Sequence, residues 1–289
     1  MVITVKQQRI GDLHCHTQKS DGSEPLEKVV HIAKQVGMDF LAVTDHDYLT
    51  PRSQLGELEQ QYGIPLIQGV ELSCYDHQRG RRVHLLCYEP KNPQPIVDQC
   101  RAVCQKRTET GEEMLKLVQK EYPITREDVM EYAGKSEAIF KQHIMAALMS
   151  YGITNQMFGD LFRELFSSKG GKAYIKIAYP DVRDILPLVR RAQGIAVLAH
   201  PYEYDSLDLL EELGSQGLLD GVECYHSRCA KEGEQYLLGR AEHYGLVVTG
   251  GSDYHGFNAS RISPLGNRYT PWEHWLQLKE GQTRRYGIK

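Results

Sequence analysis

Two closely spaced pairs bracket this chain. His14 and His16 stand two residues apart near one end, and Asp253 and His255 stand two apart near the other. On an extended strand, residues i and i+2 face the same side, so each pair can reach one cation. Between them, Thr44-Asp45-His46-Asp47 sets a histidine among acidic neighbours, which can fix an imidazole tautomer by accepting its proton in a hydrogen bond. Asp21, Glu71 and His200 add further carboxylate and imidazole donors. Alone, each signal is weak: an isolated His-X-His is more often structural, and Asp21 in Ser20-Asp21-Gly22 reads equally as a turn aspartate. Together, imidazole and carboxylate without thiolate suit borderline divalent ions such as Zn, Mn or Fe(II). Cys15 lies between the two histidines and points to the other face, as a small buried residue.

These residues need elements to position them. Arg9 to Leu13 reads as a strand ending at His14. Leu26, Val29, Val30, Ala33 and Val36 then recur at helical spacing, with Ser23 as N-cap and Gly37 as stop. Phe40–Val43, Pro65–Val70 and Val83–Cys87 read as further strands, with a polar helix over Pro51–Gln61. From about Pro93 to Ser168 the pattern is almost purely helical, and Thr125 caps one short helix. Alternation then resumes. Ile185–Ala192 reads as a helix with Pro187 in its first turn, Ile195–Ala199 as a strand ending at His200, and Ser206 as the cap of the next helix. Leu219–Cys224 and Leu246–Thr249 are strands, and the segment from Lys279 reads as a polar tail. The metal-type residues fall at or just beyond the C-terminal ends of strands, the edge where α/β barrels assemble their sites. The reading is therefore one barrel domain, residues 1–90 and 175–289, interrupted by a helical insertion domain, residues 91–174.

Composition narrows the class. The chain has 289 residues, 41% hydrophobic and 25% charged, with a formal net charge of −4. That is ordinary for a globular protein and unlike a nucleic-acid-coating surface. Seven cysteines form no CxxC pair, which suggests reduced thiols and a cytoplasmic setting. No stretch resembles a signal peptide or a membrane span.

At this point the residues resemble a known family. Asp12-Leu-His-Cys-His-Thr17, Ser20-Asp-Gly22, Thr44-Asp-His-Asp47, Gly69-Val-Glu-Leu-Ser73, Val83-His84, Ala199-His-Pro201 and Gly251-Ser-Asp-Tyr-His255 resemble, in order and spacing, the motifs of the PHP (polymerase and histidinol phosphatase) superfamily. The helical insertion is similar to that of its nucleoside bisphosphate phosphatases and small exoribonucleases. The resemblance implies a distorted (β/α)7 barrel with an inserted all-helical domain and a cluster of two or three divalent ions (Mn, Zn or Fe). His14, His16, Asp21, His46 and Glu71 would bind the metals, with His84, His200, Asp253 and His255. Glu71 would bridge them. His84 is called by the resemblance alone, because within an apolar run it otherwise reads as a buried histidine. The implied reaction is attack of a metal-bound hydroxide on a phosphate ester of a nucleotide or short oligonucleotide.

In much of this branch the insertion carries an Arg-Pro-His motif near the substrate phosphate. Here the matching stretch is Lys141-Gln-His143, with lysine in place of arginine and so without the bidentate fork. Lys141, His143 and Arg107 are expected at the substrate, His143 also as the group that protonates or orients the leaving oxygen. His226 follows a strand and could line the pocket. Arg228 and Arg261 follow rim motifs and could meet a distal phosphate. Competing readings are a histidinol-phosphate phosphatase, a zinc-dependent amidohydrolase, and a noncatalytic module binding a polymerase or nucleic acid. No obligate protein partner and no membrane partner is expected.

Overall fold

The computed structural model describes residues 8–287. Three parallel strands and two helices come first: β1 (Ile10–Asp12), α1 (Leu26–Gln35), β2 (Phe40–Val43), α2 (Arg52–Tyr62) and β3 (Leu66–Asp76). The apolar stripe of α1 buries Leu26, Val29, Val30 and Ala33. Gly37, at φ +83°, supplies the left-handed turn that ends it. Ser23 does not cap this helix. The chain enters through Pro25, whose ring fixes φ, and the Ser23 hydroxyl accepts from the Phe257 N–H at 2.9 Å.

β3 runs past Val70, through Glu71, to Asp76. It then doubles back as β4 (Arg81–Tyr88) in an antiparallel hairpin. Four helices follow: α3 (Gln94–Val118), α4 (Arg126–Ala133), α5 (Lys141–Ser150) and α6 (Asp160–Phe166). Thr125 caps α4 in a reciprocal capping box with Asp128. Met114, Leu115 and Val118 in the second half of α3 share a core with Ile144, Leu148 and Phe166. Ile96 and Cys100 in its first half pack instead with the barrel residues Val70, Leu72 and Leu85. One long helix thus belongs to both cores and couples them.

Alternation returns with α7 (Val182–Arg191), β5 (Ile195–Leu198), α8 (Leu207–Ser215), β6 (Gly221–Tyr225), α9 (Lys231–Tyr244) and β7 (Val247–Gly250). α7 starts three residues before its expected position, capped by the Asp181 side chain, so Pro187 falls in the second turn rather than the first. A short β8 (Thr270–Pro271) leads into α10 (Trp272–Tyr286). The polar tail is therefore largely a helix. Trp275 and Leu278 anchor it by joining Phe40, Leu86 and Tyr88 inside the barrel, and the Gln282 amide donates to the carbonyls of Glu89 and Gln193. Two apolar anchors were too few to register as a periodic pattern.

The eight strands form one sheet in the order β7-β6-β5-β4-β3-β2-β1-β8. Its ends approach each other, because Leu13 N–H donates to the Gly250 carbonyl at 3.4 Å and Asp253 N–H to the His14 carbonyl at 2.8 Å. The result is a distorted, nearly closed α/β barrel in which β4 alone among β1–β7 runs against its neighbours. Among the described residues, no helix is long and apolar enough to cross a membrane.

Candidate metal centre

The β3–β4 ladder sets the geometry. Ser73 pairs with His84 and Glu71 with Leu86, so Glu71 and His84 project from the same face, into the barrel mouth. His84 Nδ1 lies 2.6 Å from Glu71 Oε1, and His200 Nε2, just after β5, lies 2.8 Å from the same oxygen. The other oxygen, Oε2, faces His46 Nδ1 at 3.0 Å, His16 Nε2 at 3.2 Å and His14 Nε2 at 3.3 Å. Five imidazoles thus converge on one buried carboxylate. Asp253 Oδ1 sits 3.1 Å from His16 Nε2, and Asp21 Oδ1 sits 3.3 Å from His255 Nε2. All nine residues singled out in the sequence are brought together. Gly251 permits the approach of β1, since a Cβ there would run into His14.

Two overlapping sets of four donors have ligand atoms within 4.8 Å of one another: His16, Asp21, His46 and His255; and His14, His16, Glu71 and Asp253. His46, Glu71 and His84 form a third set. Several of these atoms are buried without a hydrogen-bond partner, among them His14 Nε2, His16 Nε2, His46 Nδ1, Asp21 Oδ1 and Glu71 Oε2. Buried polar atoms are normally paired, and leaving one unpaired costs about 1–3 kcal/mol. A row of them aimed at one small volume is what a cation requires.

The electrostatics agree. Burial works against charge on His16, yet Asp253 and Glu71 hold its pKa up to about 10. Burial wins at His46 and His84, which are pushed down despite the same Glu71. Burial would raise the Glu71 carboxyl, but His84, His46 and His14 hold it well below the usual range. Adjacent imidazoles are driven in opposite directions because protons alone cannot serve every carboxylate and every ring. Divalent ions between them would serve both. The donor set fits such ions.

A second layer orients the first, and part of it escaped the sequence. Glu223, at the centre of β6, places Oε1 3.0 Å from His14 Nδ1 and accepts from the His200 N–H at 2.9 Å. This fixes the His14 tautomer and leaves Nε2 free for the centre. A carboxylate inside the apolar run Gly221-Val-Glu-Cys-Tyr225 was the available signal. His226, expected at the substrate, lies behind Asp253 instead: it is 2% exposed, with Nε2 3.3 Å from Asp253 Oδ2. Neither acidic neighbour of His46 steadies its ring. Asp45 accepts from Thr17 N–H, Thr17 Oγ1 and Ser20 Oγ, and so ties down the loop that carries Asp21. Asp47 accepts from Arg107 and from the Ser73 N–H. His200, Asp47 and Asp253 all have positive φ, a strained backbone that is common where side-chain placement is over-determined.

The helical segment forms the other wall of a cavity of about 900 Å³ above the cluster. Lys141 lines it, its ammonium 4.8 Å from the Tyr174 ring centroid. Burial, helped by Arg82 and Arg107, lowers its pKa to about 8. Gln142 Nε2 donates to Asp21 Oδ2 at 2.7 Å. His143 does not face the cavity as expected. It is 3% exposed, its Nδ1 accepts from the Phe140 N–H, and burial lowers its pKa to about 4. A ring neutral at pH 7 and turned toward the backbone is poorly placed to protonate a leaving group. Arg107 reaches the cavity, but its guanidinium is engaged by Asp47 at 2.8 Å and Ser73 Oγ at 2.9 Å, and lies over Phe140. Arg228 is held by Glu203 at 2.8 Å, while Arg261 stays exposed at the lip. Cys15 is buried beneath α1, on the face opposite the cluster.

The family model for the PHP domain matches residues 12–187. A phosphoribosyl 1,2-cyclic phosphate 1,2-diphosphodiesterase from Eggerthella lenta is 37% identical over 90% of this chain and 98% of its own length. A 5′-3′ exoribonuclease from Haemophilus influenzae is 28% identical over 84% of this chain and 89% of its own. A solved structure from Bifidobacterium adolescentis, described as a candidate metal-dependent phosphoesterase, superposes with a TM-score of 0.84 at 28% identity, covering 93% of this chain and 94% of that one.

Proposed function

This chain belongs to the PHP family and is a metal-dependent phosphoesterase; from that premise we propose that it hydrolyses small phosphorylated ribose compounds, cyclic phosphodiesters or nucleotides, at the cluster around Glu71. The observation that carries this reading is the convergence of five imidazoles on Glu71 at the floor of a cavity of about 900 Å³ that helices partly roof. Such a cavity suits a molecule of nucleotide size. The resemblance to the Eggerthella lenta enzyme over nearly its whole length favours a phosphoribosyl ester in particular.

Two or three divalent ions would be held by His14, His16, Glu71 and Asp253, by Asp21, His46 and His255, and by His84 and His200. When bound, they would lower the pKa of water toward neutrality and neutralise the charge that develops on phosphate oxygens. The protein's own groups hold everything else in place. Glu71 presents both oxygens and keeps five rings in register. Glu223 holds the Nδ1 proton of His14, and His226 steadies Asp253. Gln142 clamps one oxygen of Asp21 and leaves the other turned toward His255. His143 anchors the start of α5 rather than touching substrate. Lys141 supplies a positive charge on the cavity wall. Residues 91–174 act as the cap on a barrel formed, among the described residues, by 8–90 and 175–287.

A substrate panel tests this reading. Protein supplied with Mn or Zn is assayed with 5-phosphoribosyl 1,2-cyclic phosphate, adenosine 3′,5′-bisphosphate, a short 5′-phosphorylated RNA and histidinol phosphate. Turnover of the ribose esters ahead of histidinol phosphate is expected. Turnover of histidinol phosphate alone, or of nothing with either metal, would reject it.

A further inference from the structure

The barrel closes without a strand ladder. Among the described residues, β1 pairs with β2 and β8, and β7 pairs with β6 alone. Single bonds bridge the join between them. Leu13 N–H reaches the Gly250 carbonyl at 3.4 Å, and the N–H groups of Asp253 and His16 reach the carbonyls of His14 and Tyr254 at 2.8 Å each. The join matters because the metal centre lies across it. His14, His16 and Asp21 come from the β1 side, and Asp253 and His255 from the β7 side. Both four-donor sets draw on both sides. The set of His46, Glu71 and His84 lies on or just after β2, β3 and β4 and does not cross the join.

Side chains fill the join. Asp12, the last residue of β1, is fully buried. Its Oδ1 accepts from the His14 N–H at 3.1 Å and from the Ser252 N–H at 2.9 Å, and its Oδ2 accepts from the Gly266 N–H at 2.9 Å. One oxygen is thus shared by the backbone of a metal-type residue on one side and by the neighbour of Asp253 on the other. The Gly266 bond fixes the rotation of the carboxylate. At the end of β7, the buried Thr270 hydroxyl accepts from the Gly250 N–H and donates to the Gly250 carbonyl, both at 2.8 Å. Neither Asp12 nor Thr270 belongs to the cavity lining, so neither touches substrate. Buried backbone N–H groups need partners of this kind. Metal ligands demand more, because their distances to an ion hold within about 0.2 Å. A carboxylate oxygen that receives both chain segments at one point sets that spacing directly.

We propose that Asp12, seconded by Thr270, is a positioning residue of the metal centre: it clasps the ends of β1 and β7 at the spacing at which His14 and His16 meet Asp253 and His255 around shared divalent ions. This rests on the metal-centre reading above and deepens it, whichever ester is hydrolysed there. Loosening the clasp then weakens the ions held across the join and spares an ion held by His46, Glu71 and His84. A residue that served stability alone would show no such selectivity.

The test is a chelator titration of the full chain loaded with Mn or Zn, with the ions retained per chain counted by elemental analysis and the visible spectrum of the Co(II)-loaded protein read alongside. Asp12→Asn keeps the size of the side chain and one acceptor oxygen. It turns an NH2 group toward either the Gly266 N–H or the paired N–H groups of His14 and Ser252, so a donor faces a donor. Ions held across the join should be released at about 10–100-fold higher free metal than in the wild type, the loss typical of an outer partner of a ligand. One ion per chain should keep its wild-type affinity, and adding His84→Ala should release it. The Co(II) spectrum should change in intensity as the cross-join ions leave. A thermal melt checks the fold. Thr270→Val should give the same selective pattern at smaller size, and it decides the question alone if Asp12→Asn does not fold. Unchanged release, uniform weakening of every ion, or a retained ion indifferent to His84→Ala overturns the clasp. A wild type that binds no divalent ion with either metal sinks the metal centre itself, and the clasp with it.

Discussion

The two walls of the cavity are built differently. On the barrel wall, the groups that matter sit on strands or in the loops that follow their C-terminal ends, buried or half-buried, and held by a second layer of Glu223, His226 and Asp45. On the helical wall they are half-buried or exposed, at the start of α5 and on the segment from Tyr174 to Tyr179, and they rest on rings and hydroxyls. The first arrangement holds atoms within tenths of an ångström, as a metal cluster requires. The second can vary without loss of the fold, which is what substrate choice requires. On the proposed reading, chemistry belongs to the barrel wall and selectivity chiefly to the helical wall. Arg107 is the seam, since it lies on α3 yet binds Asp47 and Ser73 of the barrel.

That division can be broken by experiment. The largest effect belongs to Glu71→Gln, which removes the shared charge while keeping shape. Turnover should fall by more than the ~10–100-fold typical of an outer-layer partner, and bound metal measured by elemental analysis should drop with it. Retained metal with wild-type turnover would remove Glu71 from the centre.

Glu223→Gln comes next. It should weaken metal affinity by about 10–100-fold in a chelator competition, because His14 loses the acceptor that fixes its tautomer. Unchanged affinity would mean that the barrel wall does not depend on its second layer.

The smallest effect is on the helical wall and is read from pH. Burial, with Arg82 and Arg107, holds the folded-state pKa of Lys141 near 8, below its ordinary 10.5. Its positive charge is therefore present below pH 8 and lost as pH rises through it. KM for a phosphorylated substrate should climb a few-fold across that interval, and Lys141→Arg should flatten the rise. Stability has the opposite sense. Between the two pKa values the unfolded chain binds more protons, so the penalty of burying this ammonium is relieved as pH goes from 8 toward 10.5. A KM profile identical in wild type and Lys141→Arg would place Lys141 outside the binding wall.

Much of the barrel wall was legible in the sequence. His14 and His16 advertise themselves because a strand period of two puts both rings on one face, and Asp253 with His255 repeats the spacing. Other parts were hidden for physical reasons. His84 sits on the reversed strand, within an apolar run, and its position comes from cross-strand register, which no local pattern records. Glu223 looked like an ordinary residue of a buried strand. His143 and Arg107 have residue types suited to phosphate, but burial and local partners had first claim on them.

The order of elements as far as β7, the run of helices between β4 and β5 and the residue types of the centre were legible in the sequence, because periodicity and donor chemistry are properties of the chain itself. Which atoms meet was settled only by the tertiary structure. The antiparallel β4 brings His84 to Glu71, closure of β7 on β1 brings Asp253 to His16, and the start of α5 turns Gln142 to Asp21 and Lys141 to the cavity. Those meetings join residues far apart in the chain, and their geometry depends on register and packing that a linear pattern does not encode.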